Sequence, residues 1–309
     1  MKQYLDLLSN VLTNGIQQPN RTGIDTLMVP GAMMQFDLRE GYPAVTTKQL
    51  FFKPVKGELT GFLRGCQSAE QFRELGCNIW DQNANENAAW LANPNRKGVD
   101  DLGRIYGAQW IDWKTYSLYS HDKGIVTALD TFEDGSTCDV AIGSINQVQE
   151  VLKKLKNNPT DRRMIINAWR PDEFEQMALP PCHVLYQFIA DSKNNVLHLC
   201  LYQRSADLFL GVPFNIASAS LFLAIMAKLS GFTAGTFTHF LADAHIYLSH
   251  LDQVKEQLSR TPIAPPKLVL DFPEIDPLVE LDWAFKIKPE HISLQHYVHH
   301  PAIKAPMAV

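Results

Sequence analysis

HVLYQFIADSKNNVLHLCLYQR, residues 183–204, is the stretch on which the fold turns. Two runs rich in Val, Leu, Ile, Tyr and Phe, 183–190 and 196–204, flank Asp-Ser-Lys-Asn-Asn, so the stretch is expected to form two strands joined by a turn. A third run, MIINAW (164–169), precedes them, and a strand-like FTHFLADAHIY (237–247) follows. Between these lies the apolar run Phe214–Leu229, interrupted by Asn215, Ser218, Ser220 and Lys228 and closed by Gly231; it predicts a buried core helix rather than a membrane span. Strands interleaved with helices, several of them apolar on both faces, indicate an α/β or α+β sheet protein.

The pattern extends outward in both directions. Leu5, Leu8 and Leu12 recur at helical spacing within residues 1–17, QQPNRTG (17–23) places Arg21 in a loop, and LMVPGAMMQFDL (27–38) predicts strands around Pro30-Gly31. Val55, Leu59, Phe62 and Leu63 predict a helix over 53–64 that carries Glu58. Ser144 and Gln147 suggest a capping box that opens a helix through Ile145, Val148, Leu152 and Leu155 to Asn157. An amphipathic helix is expected over 247–259. Residues 83–104 and 114–140, polar and aperiodic, are expected to be surface excursions rather than core, with 88–101 and 114–140 as insertions in a single domain spanning 1–309.

The chain has 309 residues, 46% of them hydrophobic, and a formal charge of −5, which argues against a broad nucleic-acid surface. Five cysteines without a CxxC pair, and an opening segment lacking a long apolar stretch, suggest free thiols in a reducing cytoplasm.

Pro180-Pro181 immediately before Cys182 would present that thiol from a rigid corner, although a lone cysteine is ordinarily a small core residue. His183 should point to the opposite face of the strand and so not serve as the base of Cys182. Arg204, inside an apolar strand, reads as an anion ligand rather than as a structural ion pair. Arg162-Arg163, on residue chemistry alone, reads as a solvated pair. Asn215 could cap its helix or meet a ligand, and Glu58 is either a relay carboxylate or a surface glutamate.

In order along the chain, RTG (21–23), PAVTTK (43–48), the Glu58 helix, IWD (79–81), YGAQW (106–110), DRRMIINAW (161–169), ALPPCH (178–183), YQRSADLFLGVPFNIAS (202–218), DAHIY (243–247) and IKAPMAV (303–309) resemble the thymidylate synthase family. The resemblance implies a large mixed sheet flanked by helices, paired sheet-to-sheet in a homodimer. It also implies methylation of dUMP with 5,10-methylenetetrahydrofolate as co-substrate, without a metal or a nicotinamide. Cys182 would attack pyrimidine C6, with Glu58 and Tyr106 organising proton transfers and Arg204 and Asp207 completing the catalytic set. Arg21, Arg204 and Ser205, joined by Arg162 and Arg163 from the partner subunit, would hold the phosphate. His245 and Tyr247 would bind the sugar hydroxyl, Asn215 would read the base, and Gln203 and His183 would support the site. Ile79, Trp80, Leu179, Asp207, Gly211, Phe214 and Val309 would meet the folate.

Asn83, Gln49, Phe51 and Leu241-Ala242 depart from the family's usual residues, and they concern the folate side. Two neighbouring readings share most of these residues: a pyrimidine-nucleotide hydroxymethylase of the same fold, and a nucleotide-binding regulator without catalysis. Asn215 argues against a cytosine-specific hydroxymethylase, the IKAPMAV ending favours hydride transfer, and Cys182 with Glu58 and Tyr106 argues against the regulator.

Overall fold

A computed structural model describes residues 1–120, 124–126 and 139–307. Val309, Cys138 and most of 121–138 lie outside the described residues. The strands are β1 (Ile16–Gln18), β2 (Thr26–Asp37), β3 (Trp113–Ser120), β4 (Gly124–Val126), β5 (Asp139–Ile145), β6 (Ile165–Asn167), β7 (His183–Asp191), β8 (Val196–Asp207), β9 (Thr233–Tyr247), β10 (Lys267–Leu270) and β11 (Ile292–Gln295). The helices are α1 (Lys2–Asn14), α2 (Phe52–Leu63), α3 (Ala69–Glu74), α4 (Asp81–Asn85), α5 (Ala88–Leu91), α6 (Tyr106–Ile111), α7 (Gln147–Asn157), α8 (Gly211–Ser230), α9 (Leu251–Leu258) and α10 (Trp283–Lys286).

Six strands form the main sheet in the order β1-β2-β9-β8-β7-β6. Only β8 and β9 run parallel, as their connection through α8 requires; the other pairings are antiparallel. The 183–204 stretch forms the β7–β8 hairpin, with Asp191 accepting from the Lys193 and Asn194 amides in its turn. β2 runs without a break through Pro30-Gly31, where an interruption was expected. β1 pairs only with Thr26–Met28, so beyond that point β2 is an edge strand, the setting in which a proline is tolerated.

α8 buries nearly its whole circumference, including Ile216, Leu221, Phe222 and Met226, between β8 and β9 on the sheet and the helices α2 and α7, and 83% of its most apolar stretch is inside the protein. It is therefore a core helix. Gly231 ends it in the left-handed region, φ 81°, a conformation that costs a residue with a Cβ more than it costs glycine. Phe62, Phe72, Trp80, Tyr106, Trp110, Tyr186 and Phe222 interlock at ring separations of 5.0–6.1 Å and tie α2, α3 and α6 to the sheet.

Among the described residues no layer covers the exposed row on the opposite face of the sheet. The strand registers align Met33, Phe240, Tyr202 and Leu185 in one row across β2, β9, β8 and β7. Met33, Phe240 and Tyr202, with Ile189 and Ile165 nearby, are 39–56% exposed. Such an apolar face marks an interaction surface.

Local expectations fail in two further places. α7 is capped by Asn146, whose side chain accepts from the Gln149 amide; Ser144 and Ile145 belong to β5, and Ile145 is exposed. The 83–104 segment is not all surface, since Ala84, Trp90 and Leu102 are buried and Trp90 Nε1 donates to the Asp101 carbonyl at 2.7 Å. Isolated anchors in a polar context leave no periodicity to detect. The described part of 114–140 forms, with its flanks, a small antiparallel sheet β4-β3-β5, exposed at Tyr116, Val140 and Ile142.

Candidate active site

β8 and β9 end side by side, Ser205 opposite Asp243 and Asp207 opposite His245, and α8 begins four residues after β8. β7 runs the other way, so its first residue, His183, lies opposite Gln203 at the same edge. The crevice at the carboxyl ends of parallel strands is where open α/β sheets bind ligands, and Cys182 stands at its rim.

The corner around Cys182 is fixed by groups distant in sequence. Its amide donates to the Tyr106 hydroxyl at 2.6 Å, and its carbonyl accepts from the Arg204 amide at 2.9 Å. The Arg204 side chain bonds the carbonyls of Pro181 (Nε, 2.8 Å) and Pro180 (Nη2, 3.1 Å), with its guanidinium 5.1 Å from the centre of the Trp169 ring. Arg204 thus locks the Pro-Pro corner, a role the sequence reading missed; Nη1 has no partner among the described residues. Burial pushes the Cys182 thiol up, opposed by the Arg204 charge, a hydrogen bond from Tyr106 and the Arg21 charge. Those three groups all favour the thiolate. His183 turns into the core as expected, its Nδ1 2.9 Å from the Tyr186 hydroxyl, and burial lowers its pKa to about 4, so the ring is neutral.

Glu58 sits on α2 between buried Val55, Leu59 and Phe62 and accepts from Trp80 Nε1 at 3.1 Å. Trp80 meets Tyr106 edge-on, linking Glu58 to the Cys182 corner. Burial raises the Glu58 pKa to about 7, which Trp80 only partly offsets. The folded protein therefore holds this proton more tightly than the unfolded chain, whose carboxyl has the usual value of 4.5. Stability from that proton is complete below pH 4.5 and is lost as pH rises through about 7. The Tm of Glu58→Gln, relative to wild type, is expected to climb across this window; a flat difference by calorimetry would show that Glu58 is ionised throughout.

Asn215 is not a helix cap. Leu210 holds the cap position and Asn215 lies in the second turn of α8, its Oδ1 accepting from Gln203 Nε2 at 3.0 Å. The same Gln203 nitrogen donates to the Ser205 carbonyl at 2.8 Å, while Gln203 Oε1 lies 2.7 Å from His239 Nε2. Asn215 also lies near enough to the His183 ring to oppose the lowering of its pKa by burial. His239 was not foreseen; its one signal was a histidine on the apolar face of a strand. Asp207 closes β8 rather than lying in a loop, and its Oδ1 accepts from the Phe209 and Leu210 amides, shaping the turn into α8.

His245 Nδ1 lies 2.9 Å from Asp243 Oδ1 and its ring packs edge-on against Tyr247. Arg21, exposed in its loop, is near enough to oppose the upward shift of both Tyr247 and Cys182. Arg162 and Arg163 are elsewhere. Phe188, six positions along β7 from Cys182, donates to the carbonyl of Met164, which places the arginine pair roughly 20 Å from the thiol at about 3.3 Å per strand residue. Arg163 there pairs through two bonds with Asp161, and both arginines are exposed.

A cleft of about 830 Å³ adjoins the site, lined by Gln49, Phe51, Lys53, Ile79, Phe214 and Tyr297 among others. Cys182 is not on its wall; the cleft is tied to the residues around Cys182 through Phe214, which neighbours Asn215, and Ile79, which neighbours Trp80. Leu179 is partly buried against the core, and Gly211 opens α8, where a Cβ would come into van der Waals contact with Asn215 Oδ1 and Asp207.

The thymidylate synthase family model matches residues 2–309. The chain belongs to the thymidylate synthase family. It is similar to the thymidylate synthases of Pseudomonas syringae pv. tomato (45% identical), Pseudomonas putida (46%) and Bordetella parapertussis (44%), with the whole of each chain covered. Within this thymidylate synthase frame, Gln49 and Phe51, two of the departures noted in the sequence, line the large cleft, whereas Leu241 is buried in β9 opposite Gln203.

Proposed function

We propose that Cys182 is the nucleophile in the reductive methylation of dUMP to dTMP, with 5,10-methylenetetrahydrofolate giving the methylene group and then a hydride and leaving as dihydrofolate. The observation that carries this reading is the Cys182 corner: a thiol on a locked Pro-Pro turn, with the Tyr106 hydroxyl, Arg204 and Arg21 all favouring its thiolate. The thiolate adds to C6, the C5–C6 pair moves onto the C4 carbonyl, and C5 becomes the carbon nucleophile that takes the methylene group. Loss of the C5 proton then expels the folate nitrogen from the methylene carbon, the departing tetrahydrofolate gives hydride to the resulting exocyclic methylene to make the methyl group, and Cys182 departs as the C5=C6 double bond reforms.

Around this step, Arg21, Arg204 and Ser205 hold the phosphate, His245 and Tyr247 the sugar hydroxyl, and Asn215 the pyrimidine edge. Glu58, with a pKa pushed up to about 7, can both give and accept a proton near neutral pH, relayed through water with Tyr106. Ile79 and Phe214 offer apolar walls and Lys53 a cation in a cleft of about 830 Å³, dimensions and chemistry that suit a folate. Trp80, Leu179, Gly211, Asp207 and Val309 belong to the same side. Incubating the protein with dUMP and methylenetetrahydrofolate should generate dihydrofolate absorbance in step with dTMP. Consumption of dUMP without dihydrofolate would overturn hydride transfer.

The active form in this reading is a cytoplasmic homodimer of single-domain chains, joined through the uncovered face of the sheet. Its exposed apolar row needs a cover, and Arg162-Arg163, far from their own thiol, then serve the partner's phosphate site. Cys182→Ala chains mixed with Arg162→Ala/Arg163→Ala chains should recover about a quarter of wild-type activity, since random pairing makes half the dimers mixed and each mixed dimer has one complete site. No recovery after confirmed subunit exchange would place the arginines outside the partner's site.

A further inference from the structure

We propose that His239 is a specificity-determining positioning residue, whose Nε2–H acts through Gln203 to lock the Asn215 amide in the orientation that accepts uracil and rejects cytosine. This rests on Asn215 as the base reader, and goes beyond it by assigning what fixes the reader's polarity.

His239 is fully buried on β9. The Ser205 carbonyl can only accept, so the Gln203 atom 2.8 Å from it is the amide nitrogen, and the atom 2.7 Å from His239 Nε2 is the oxygen. That oxygen can only accept as well, so His239 carries its proton on Nε2. Burial lowers the ring's pKa to about 3, leaving it neutral, and Nδ1 is bare, buried and without a hydrogen-bond partner among the described residues. The Gln203 nitrogen gives its second hydrogen to Asn215 Oδ1. A second lone pair on Oδ1 then remains for uracil N3–H, and Nδ2 for O4.

Cytosine needs the reverse pattern. Turning the Asn215 amide would set its nitrogen against that of Gln203. Turning Gln203 as well would oppose its oxygen to the Ser205 carbonyl and its nitrogen to His239 Nε2–H. The last conflict is relieved only by moving the proton to Nδ1, where the described residues offer no acceptor. His183 imposes no such polarity, because its other nitrogen faces the Tyr186 hydroxyl, which can donate or accept. The relay therefore has two fixed ends, a backbone carbonyl that no side-chain change removes and the imidazole of His239.

The test compares kcat/KM for dCMP over dUMP in wild type, His239→Phe, His239→Gln and Asn215→Asp. Loss of one buried hydrogen bond, about 1–1.5 kcal/mol, should raise the ratio about tenfold in His239→Phe. His239→Gln, which can still donate to Gln203, should stay within about threefold of wild type. An unchanged ratio in folded His239→Phe overturns the proposal. If that variant does not fold, ¹⁵N-histidine NMR of the wild-type protein decides: an Nε2–H tautomer supports the relay and an Nδ1–H tautomer overturns it. A ratio that moves in Asn215→Asp but not in His239→Phe rejects the relay alone, whereas no movement in either rejects Asn215 as base reader.

Discussion

Cys182→Ala is expected to lower turnover by more than about a thousandfold, over about 4 kcal/mol of barrier, while dUMP still binds. The two functions rest on different atoms. In the proposed mechanism binding draws on Arg21, Arg204, Ser205, His245 and Tyr247, whereas the covalent step needs the Cys182 sulfur, whose thiolate the Tyr106 hydroxyl and two arginine charges favour. Alanine at this position keeps the backbone bonds from Cys182 to Tyr106 and Arg204, so the corner and the phosphate site persist. Without the thiolate, C5 of the pyrimidine has no route to carbanion character, and the remaining hydrogen bonds stabilise a charge that never forms. Calorimetric titration with dUMP and a dihydrofolate assay separate the two effects. Turnover within about tenfold of wild type would remove Cys182 from the chemistry.

Asn215→Asp is expected to lose most turnover on dUMP and to raise the ratio of kcat/KM for dCMP over dUMP by at least about thirtyfold. Each opposed pair of donors or of acceptors in a dry site costs about 1–3 kcal/mol, and wild type presents two such pairs to cytosine. The carboxyl that replaces the amide, when protonated, would donate its hydroxyl hydrogen to cytosine N3 and accept the exocyclic amine at its carbonyl oxygen, while the hydroxyl oxygen, standing where Oδ1 stood, still accepts from Gln203. The residue is in the second turn of α8, not at its cap, so the substitution leaves the capping of the helix intact and the ratio reports recognition. An unchanged ratio in the folded variant would assign base reading to another group.

The strongest sequence signals carry straight into the fold. The 183–204 hairpin, the apolar helix ended by Gly231 and the Glu58 helix all rest on local chemistry: β-rich runs around a polar turn, a long apolar run with few polar interruptions, a 3.6-residue period. The start of α7 was misjudged because Ser144 and Asn146 offer equally good caps, and pairing of Ile145 with Trp113 across β3 and β5 decides between them. Trp90 was missed because burial of one side chain in a polar segment depends on distant contacts alone.

The sequence by itself determined the family and the α/β character, since these depend on residue types in order along the chain, and it singled out Cys182 as the thiol proposed here as nucleophile. Tertiary structure decided what each site residue works against. Arg204 was expected to meet an anion, yet two of its N–H groups hold the Pro180 and Pro181 carbonyls; Glu58 became a near-neutral acid only when α2 buried it beside Trp80; His239 acquired a role only when the parallel pairing of β8 and β9 brought it to Gln203. The physical reason is the same in each case: a polar group's function follows from the partner and the dielectric it meets on folding, and neither is encoded in its neighbours along the chain.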